Sequence, residues 1–280
     1  AWMGATAALA GCHLNRLGFG EGGIMQDYAY NKLMGRRIRV GFIGVGSRGT
    51  GAVNRIAQIP GVDIVAICDK DPERVQANLK NLKDINYPGF DKIRSYIGPE
   101  AYKDLCDFGD CDVVYCATPW ALHQPVALRG LLGGKISLVE VTAALTTDEC
   151  WELVETSERL KRHCMQLENC CYGEIEMLAL NLCRLGKLGE LVHAEGAYIH
   201  DLRNMCATEV PDCEGWRFDE NRVHGGNRYP THGLVPLCLT FDVNRGDRLD
   251  YLVSLESNQA NFRAYMEANL AADNKRRLSK

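Results

Sequence analysis

The 280-residue sequence predicts an α/β protein: a doubly wound parallel sheet over residues 36–168, then an α+β domain over 169–280 with an open, mainly antiparallel sheet. Three observations predict it. Between residues 38 and 167, short apolar runs alternate with stretches of helical periodicity. The first run leads directly into Gly44-Val45-Gly46-Ser47-Arg48-Gly49. After residue 170 the alternation stops, and residues 191–200 show the two-residue period of a half-buried strand.

The elements follow in order. Residues 1–35 read as a signal-like segment and linker. The start is apolar and uncharged, and it ends Leu9-Ala10-Gly11-Cys12, similar to the lipobox of a bacterial lipoprotein signal but without a basic n-region. It raises the expectation of an exported, periplasmic or membrane-anchored protein lipidated at Cys12, with a small-residue helix in a cytoplasmic protein as the alternative. Residues 38–43 read as the first strand, and Ala52, Val53, Ile56 and Ala57 mark the apolar face of a helix. Residues 64–68 form the second strand, ending at Asp69. Asp71-Pro72-Glu73 is a helix start with proline in an early position, and Val75 and Leu79 mark its apolar side. Residues 81–100 read as loop, punctuated by Tyr87-Pro88-Gly89 and Gly98-Pro99. A buried strand at 111–117 precedes a helix bearing Val126, Ala127, Leu131 and Leu132, which Gly133-Gly134 ends. A strand at 136–141 follows. Thr146 to Glu149 form a capping box for a helix carrying Trp151, Val154 and Leu160, and a strand at 164–167 closes this half. Beyond it the sequence suggests a helix at 174–185, strands at 191–200 and 251–255, and a helix at 262–270. Two strands are too few for a stable open sheet, so further C-terminal residues are expected.

Composition narrows the function. A net charge of −4, without a basic stripe, argues against nucleic acid. The 13 cysteines include no pair at CxxC spacing, so they read as small buried thiols in a reduced chain and not as a metal site. No run beyond the N-terminal one is long enough to cross a bilayer.

The glycine-rich run points to a cofactor. Strand, Gly44-x-Gly46-x-x-Gly49, helix, strand and then Asp69, about twenty residues on, is the order of a dinucleotide-binding fingerprint, the Rossmann arrangement. Gly44 permits the tight turn, Gly46 the approach of the pyrophosphate, and Gly49 the packing of helix on strand. The helix N-terminus offers free N–H groups to phosphate. Asp69 can accept a ribose 2′-hydroxyl and would repel a 2′-phosphate, so NAD is favoured over NADP; Lys70 weakens that preference slightly. Three further clusters are candidates. Thr118-Pro119-Trp120-Ala121-Leu122-His123 follows a strand end, where ligands of open parallel sheets lie. Glu140, followed by Val141, also ends a strand. Asn227-Arg228-Tyr229-Pro230-Thr231-His232-Gly233 offers a phenol and an imidazole, the latter a general acid or base. Each could equally be a structural side chain.

The order of these pieces resembles the glucose–fructose oxidoreductase/inositol dehydrogenase superfamily, which joins a nucleotide-binding domain to an open-faced sheet and often pairs through that sheet. Most members carry Glu-Lys-Pro after the fifth strand; this chain has Glu140-Val141-Thr142 and lacks the dehydrogenase lysine. With Glu168-Asn169-Cys170-Cys171-Tyr172, residues 193–201 and Tyr229-Pro230-Thr231-His232-Gly233, it resembles glycoside hydrolase family 109, NAD-dependent α-N-acetylgalactosaminidases. Thr142 and Val235 depart from the Pro and Gly usual there. The resemblance implies that Arg48, Gly49, Asp69, Trp120, Ala121, Leu122, His123, Glu140, Val141 and Asn169 line NAD. It implies that Tyr198, Arg217, Tyr229, Pro230, Thr231 and His232 face a glycan or glycoside, with Tyr172 and His232 as acid/base candidates. The implied reaction is oxidation, elimination, addition and reduction at the sugar, outside the usual two-carboxylate scheme. An ordinary NAD-dependent sugar or polyol dehydrogenase and an inactive NAD-binding fragment stay open as alternatives.

Overall fold

The computed structural model describes residues 35–206, 215–224, 226–258 and 260–269. The lipobox-like segment with Cys12 lies outside them. The chain divides after Glu168 into two units.

In the first unit the order is β1 (Ile38–Ile43), α1 (Ser47–Ile56), β2 (Val62–Asp69), α2 (Pro72–Asp84), β3 (Arg94–Ile97), α3 (Tyr102–Asp107), β4 (Val113–Cys116), α4 (His123–Leu132), β5 (Ile136–Val139), α5 (Thr147–Leu160) and β6 (Cys164–Gln166). The six strands form one sheet in the order β3-β2-β1-β4-β5-β6, and every pairing is parallel. The order reverses between β1 and β4, which is where an open α/β sheet leaves a crevice. Apolar side chains cover both faces, as a parallel sheet requires. In β4, Val113 and Tyr115 enter one core layer and Val114 and Cys116 the other.

Asp112 fixes the start of this sheet. Its carboxylate accepts from the Arg36 guanidinium at 2.8 Å and from the Arg39 backbone N–H and guanidinium at 3.0 Å. Burial alone would raise its pKa, but the Arg39 and Arg36 bonds bring it below the ordinary carboxylate value. Burial pushes the thiols of Cys68 and Cys106 up to about 12 and those of Cys111 and Cys116 to about 11. They are inert core groups.

Two local expectations are corrected here and one, the capping box, is met. The loop expected over 81–100 holds the end of α2, a 3-10 turn at Phe90–Lys92, and β3. β3 is a four-residue edge strand with mostly exposed side chains, so it has no apolar run to announce it. The capping box forms: Thr146 Oγ1 accepts the Glu149 N–H, and Glu149 accepts the Thr146 N–H, both at 3.2 Å. The helix it opens buries Leu153 and Thr156, while Trp151 and Val154 face outward.

The second unit holds α6 (Glu174–Arg184), α7 (Trp216–Val223), α8 (Pro230–Thr240) and α9 (Ala260–Asn269). Cys206, Phe218 and Met266 form a small core, flanked by Phe262 and Tyr265. The open antiparallel sheet expected here is not formed among the described residues. Segments 191–200 and 251–255 join no ladder. Val192, Ile199, Leu252 and Leu255 are exposed. A strand is defined by its ladder partner, and no such pairing forms for these segments among the described residues. The expected pairing of copies through that sheet has no basis in the described residues.

Replacing Asp112 by Asn should destabilise the protein by roughly 1–3 kcal/mol at pH 7, since charged hydrogen bonds are lost at a buried site. A carboxyl whose pKa is lowered by folding stabilises above its unfolded pKa and loses that effect as pH falls, so the gap to wild type should narrow below about pH 4. Urea melts of both proteins at neutral and acid pH measure this.

Candidate cofactor and substrate sites

In the first unit the predicted residues gather at the C-terminal ends of β1, β2, β4 and β5. Gly44 turns the chain with φ at +83° and donates its N–H to the Cys68 carbonyl at 2.9 Å. A Cβ there would lie 2.7 Å from the Ala117 carbonyl oxygen, and a Cβ on Gly49 would overlap the Gly44 carbonyl oxygen. Only glycine lets α1 and the end of β4 close on this turn. Gly46 differs, because a Cβ there would meet nothing nearer than Arg74 Nη1 at 3.6 Å. α1 starts at Gly46 without a side-chain cap and without an acid in its first turn.

Asp69 is buried at the end of β2. Its Oδ2 accepts the Val45 N–H at 2.8 Å and its Oδ1 the Asp71 N–H at 3.0 Å. It therefore ties the glycine turn to the start of α2. Each carboxylate oxygen keeps capacity to accept another donor. Asn78, buried in α2, adds a second tie: its Nδ2 donates to Val45 O, Thr50 Oγ1 and Arg74 O at 2.9–3.2 Å. Sequence reasoning did not find Asn78. The signal was an amide on the face otherwise marked by Val75 and Leu82.

Glu140 is buried after β5. The Tyr115 hydroxyl donates to its Oε1 at 2.6 Å, and Arg48 Nε lies 3.0 Å from its Oε2. Burial and then the adjacent Glu140 push the Tyr115 phenol well above its ordinary pKa. Glu140 thus aims the half-exposed Arg48 from α1 across the crevice. Tyr115 was read only as a strand residue.

In the loop after β4, Trp120 and His123 are buried while Ala121 and Leu122 are exposed. His123 Nδ1 lies 2.6 Å from the Thr142 carbonyl oxygen, and Nε2 lies 2.7 Å from that of Thr118. The ring joins the loops that follow β4 and β5. Burial lowers its pKa, against the pull of the two carbonyls and Glu140. Val141 is buried beside them.

The second unit brings other predicted residues together. Gly196 and Gly233 approach so closely that a Cβ on Gly196 would overlap the Gly233 carbonyl. That contact lays segment 191–200 against α8. The Tyr198 ring then lies 4.8 Å from His232 and 5.5 Å from Tyr229, which stacks on His232 at 5.2 Å. His200 stacks on the Tyr198 ring at 5.9 Å. Pro230 occupies the first turn of α8, where its missing N–H costs nothing. The buried Thr231 hydroxyl has no hydrogen-bond partner among the described residues. Burial, then Tyr229 and Cys170, raise the Tyr198 pKa, and Arg217 opposes them. The Arg217 guanidinium lies 4.3 Å over the Trp216 ring. α8 also packs on the 3-10 turn Asn169–Cys171, which leads into Tyr172. Tyr172 is exposed, and burial of its remainder, then Cys171, raises its phenol against the pull of Arg245. α7 and α8 were not anticipated as helices; for α8, Pro230 ahead of an apolar run was the available signal.

Comparison with known proteins matches this division. Residues 38–167 fit the model of the oxidoreductase family with an NAD-binding Rossmann fold, and residues 172–280 fit that of the glycosyl hydrolase 109 C-terminal domain. Glycosyl hydrolase family 109 protein 1 of Bacteroides fragilis strain YCH46 is 46% identical over 231 residues, 82% of this chain and 48% of that protein. An alpha-N-acetylgalactosaminidase of Bacteroides fragilis is 42% identical over 241 residues, 84% of this chain and 56% of that one. The chain thus spans about half the length of the curated relatives it matches. A solved scyllo-inositol dehydrogenase from Lactobacillus casei superposes with a TM-score of 0.49 at 18% identity, over 55% of this chain and 43% of that one. With a segment that fits the NAD-binding Rossmann model followed by one that fits the glycosyl hydrolase 109 C-terminal domain, the chain is similar to glycosyl hydrolase family 109 proteins over both units.

Proposed function

We propose that this chain acts in an NAD-dependent glycosidase that releases terminal α-linked N-acetylgalactosamine. The observation that carries the reading is an NAD-binding crevice in a chain whose second unit gathers Tyr198, Tyr229 and His232 into one ring cluster. Similarity to the family supplies the sugar: a relative carries the name alpha-N-acetylgalactosaminidase.

The first unit fits NAD on its own geometry. Gly44 and Gly49 are required by protein packing, whereas Gly46 leaves open the space beside an uncapped helix start. That is the approach a pyrophosphate needs. Gly44, Gly46, Arg48 and Gly49 would hold the phosphates, and Asp69 the adenine ribose. Ala121 and Leu122 would border the cofactor on a loop set from beneath by Trp120 and His123. Glu140 and Val141 would close the floor.

NAD, when bound, supplies reversible hydride acceptance at C3 of the sugar. Tyr198, Arg217, Tyr229, Pro230 and Thr231 bind and orient the glycoside. The Tyr172 phenol oxygen or a His232 ring nitrogen takes the C2 proton and returns it. Neither group needs a paired carboxylate, in keeping with NAD-dependent exceptions to two-acid glycoside hydrolysis.

The same reading extends to export. Leu9-Ala10-Gly11-Cys12 supports acylation of Cys12 and attachment to a membrane.

Gly46→Ala should leave the melting temperature of the nucleotide-free protein nearly unchanged and weaken NAD binding by about tenfold or more, whereas Gly49→Ala should destabilise the fold itself by roughly 2 kcal/mol or more. Calorimetric titration and thermal melts separate the two. With p-nitrophenyl α-N-acetylgalactosaminide, many turnovers without net NADH are expected. Steady accumulation of NADH without glycoside cleavage would make the protein a dehydrogenase instead. Tyr172→Phe and His232→Ala are each expected to reduce kcat by about 10²- to 10⁴-fold while NAD still binds. In a bacterial host that acylates exported lipoproteins, labelled palmitate should enter the protein and be lost in Cys12→Ser; equal labelling of both would remove the anchor proposal.

A further inference from the structure

We propose that Cys170 and His232 form a binding site for a borderline-soft divalent cation, zinc above all, and that a cation held there silences the acid/base role of His232. The metal site stands on the geometry of the second unit; the silencing rests on the glycosidase reading given above. Cys170 lies in the 3-10 turn Asn169–Cys171, and His232 lies in the first turn of α8, which packs on that turn. Cys170 Sγ and a His232 ring nitrogen come within 4.8 Å of one another. A zinc ion sits about 2.3 Å from sulfur and about 2.0 Å from nitrogen, so a small turn of the Cys170 side chain closes the gap. The imidazole is already held in place, with Tyr229 stacked on it and the Tyr198 ring 4.8 Å away. The Asn169 amide donates to the Cys170 sulfur at 3.7 Å, which favours the thiolate that a metal requires. Both ligand residues are half-buried, so a cation can reach them from solvent.

Thiolate sulfur with imidazole nitrogen is a donor set for zinc and its neighbours, whereas magnesium and calcium take oxygen ligands. The core thiols of Cys68, Cys106, Cys111 and Cys116 do not compete, because burial holds them protonated up to about 11 or 12. On binding, the S–H proton passes to the buffer, a sulfur–metal bond replaces it, and the ring nitrogen donates its lone pair to the cation. No electron is transferred. A neutral imidazole has one such lone pair, so a metallated His232 cannot take the C2 proton. The cation would also stand beside the Tyr198 and Tyr229 rings that orient the sugar. The spacing of the cysteines gives no sign of this pair, because its second member is a histidine that α8 brings in from far along the chain.

The test titrates Co2+, as a coloured probe, and Zn2+ into the full chain and into Cys170→Ser, His232→Ala and Cys150→Ser, the last removing an exposed thiol of α5 as a control. Wild type and Cys150→Ser should show a near-ultraviolet thiolate-to-cobalt charge-transfer band, and zinc should abolish it by displacement. Cys170→Ser should lose the band, and both Cys170→Ser and His232→Ala should bind zinc more weakly by at least the roughly ten- to hundredfold that loss of a merely supporting group costs. Unchanged melting temperatures will show that the variants fold. In hydrolysis of p-nitrophenyl α-N-acetylgalactosaminide by the NAD-loaded protein, zinc should inhibit wild type, a chelator should restore the rate, and magnesium should have no effect. Cys170→Ser should keep its own zinc-free rate at zinc concentrations that silence wild type. A charge-transfer band that survives in Cys170→Ser, a folded wild type that binds no zinc, or zinc binding without inhibition would each overturn the proposal. A wild type that hydrolyses nothing, yet shows the band and loses it in Cys170→Ser, would sustain the metal site and bring down the glycosidase reading instead.

Discussion

The first unit depends on a carboxylate buried where two turns meet. Asp69 ends β2 with its side chain out of solvent, which is tolerable only because each oxygen accepts a backbone N–H, one from Val45 and one from Asp71. Those donors lie on the two loops that border the crevice. The glycine turn is thereby held to β2, α1 starts against Gly44, and the open backbone at Gly46 faces outward. The carboxylate that sequence reading assigned to a ribose is first a structural clamp. Its remaining lone pairs serve a ligand only because the clamp is in place.

The same device recurs at Glu140 and His123. Glu140 is buried, accepts from Tyr115 and reaches Arg48, so a strand end and a helix start are joined by one side chain. His123 spans the carbonyls of Thr118 and Thr142 and joins two loops that the sheet itself leaves apart. Polar groups in this unit thus act mainly on geometry, and the residues they position are the ones with exposed surface: Arg48, Ala121 and Leu122.

In the second unit the organising contact is backbone against backbone. Gly196 and Gly233 permit an approach that any side chain would block, and the ring cluster of Tyr198, Tyr229 and His232 follows from it. The exposed tyrosine of the same unit, Tyr172, is set by a different contact, that of α8 on the turn Asn169–Cys171. Two contacts between segments far apart in sequence therefore set the surroundings of α8, which carries His232.

Local patterns alone determined the parallel sheet, the glycine turn, the capping box at Thr146 and the helix at Glu174–Arg184, because in each the deciding interactions lie within one βα unit or one helical turn. The cofactor was legible for the same reason. The edge strand β3, with exposed side chains, carried no periodic signal, and the outward face of α5 at Trp151 reversed the apolar reading of that helix. Only tertiary structure decided that Asp69 and Glu140 are clamps, that Asn78 and Arg74 belong beside the glycine turn, and that segments 191–200 and 251–255 join no ladder among the described residues. Alternation states which face of a strand could be buried. Whether a ladder forms, or a carboxylate meets a donor 24 residues away, depends on groups that the fold brings alongside from distant parts of the chain.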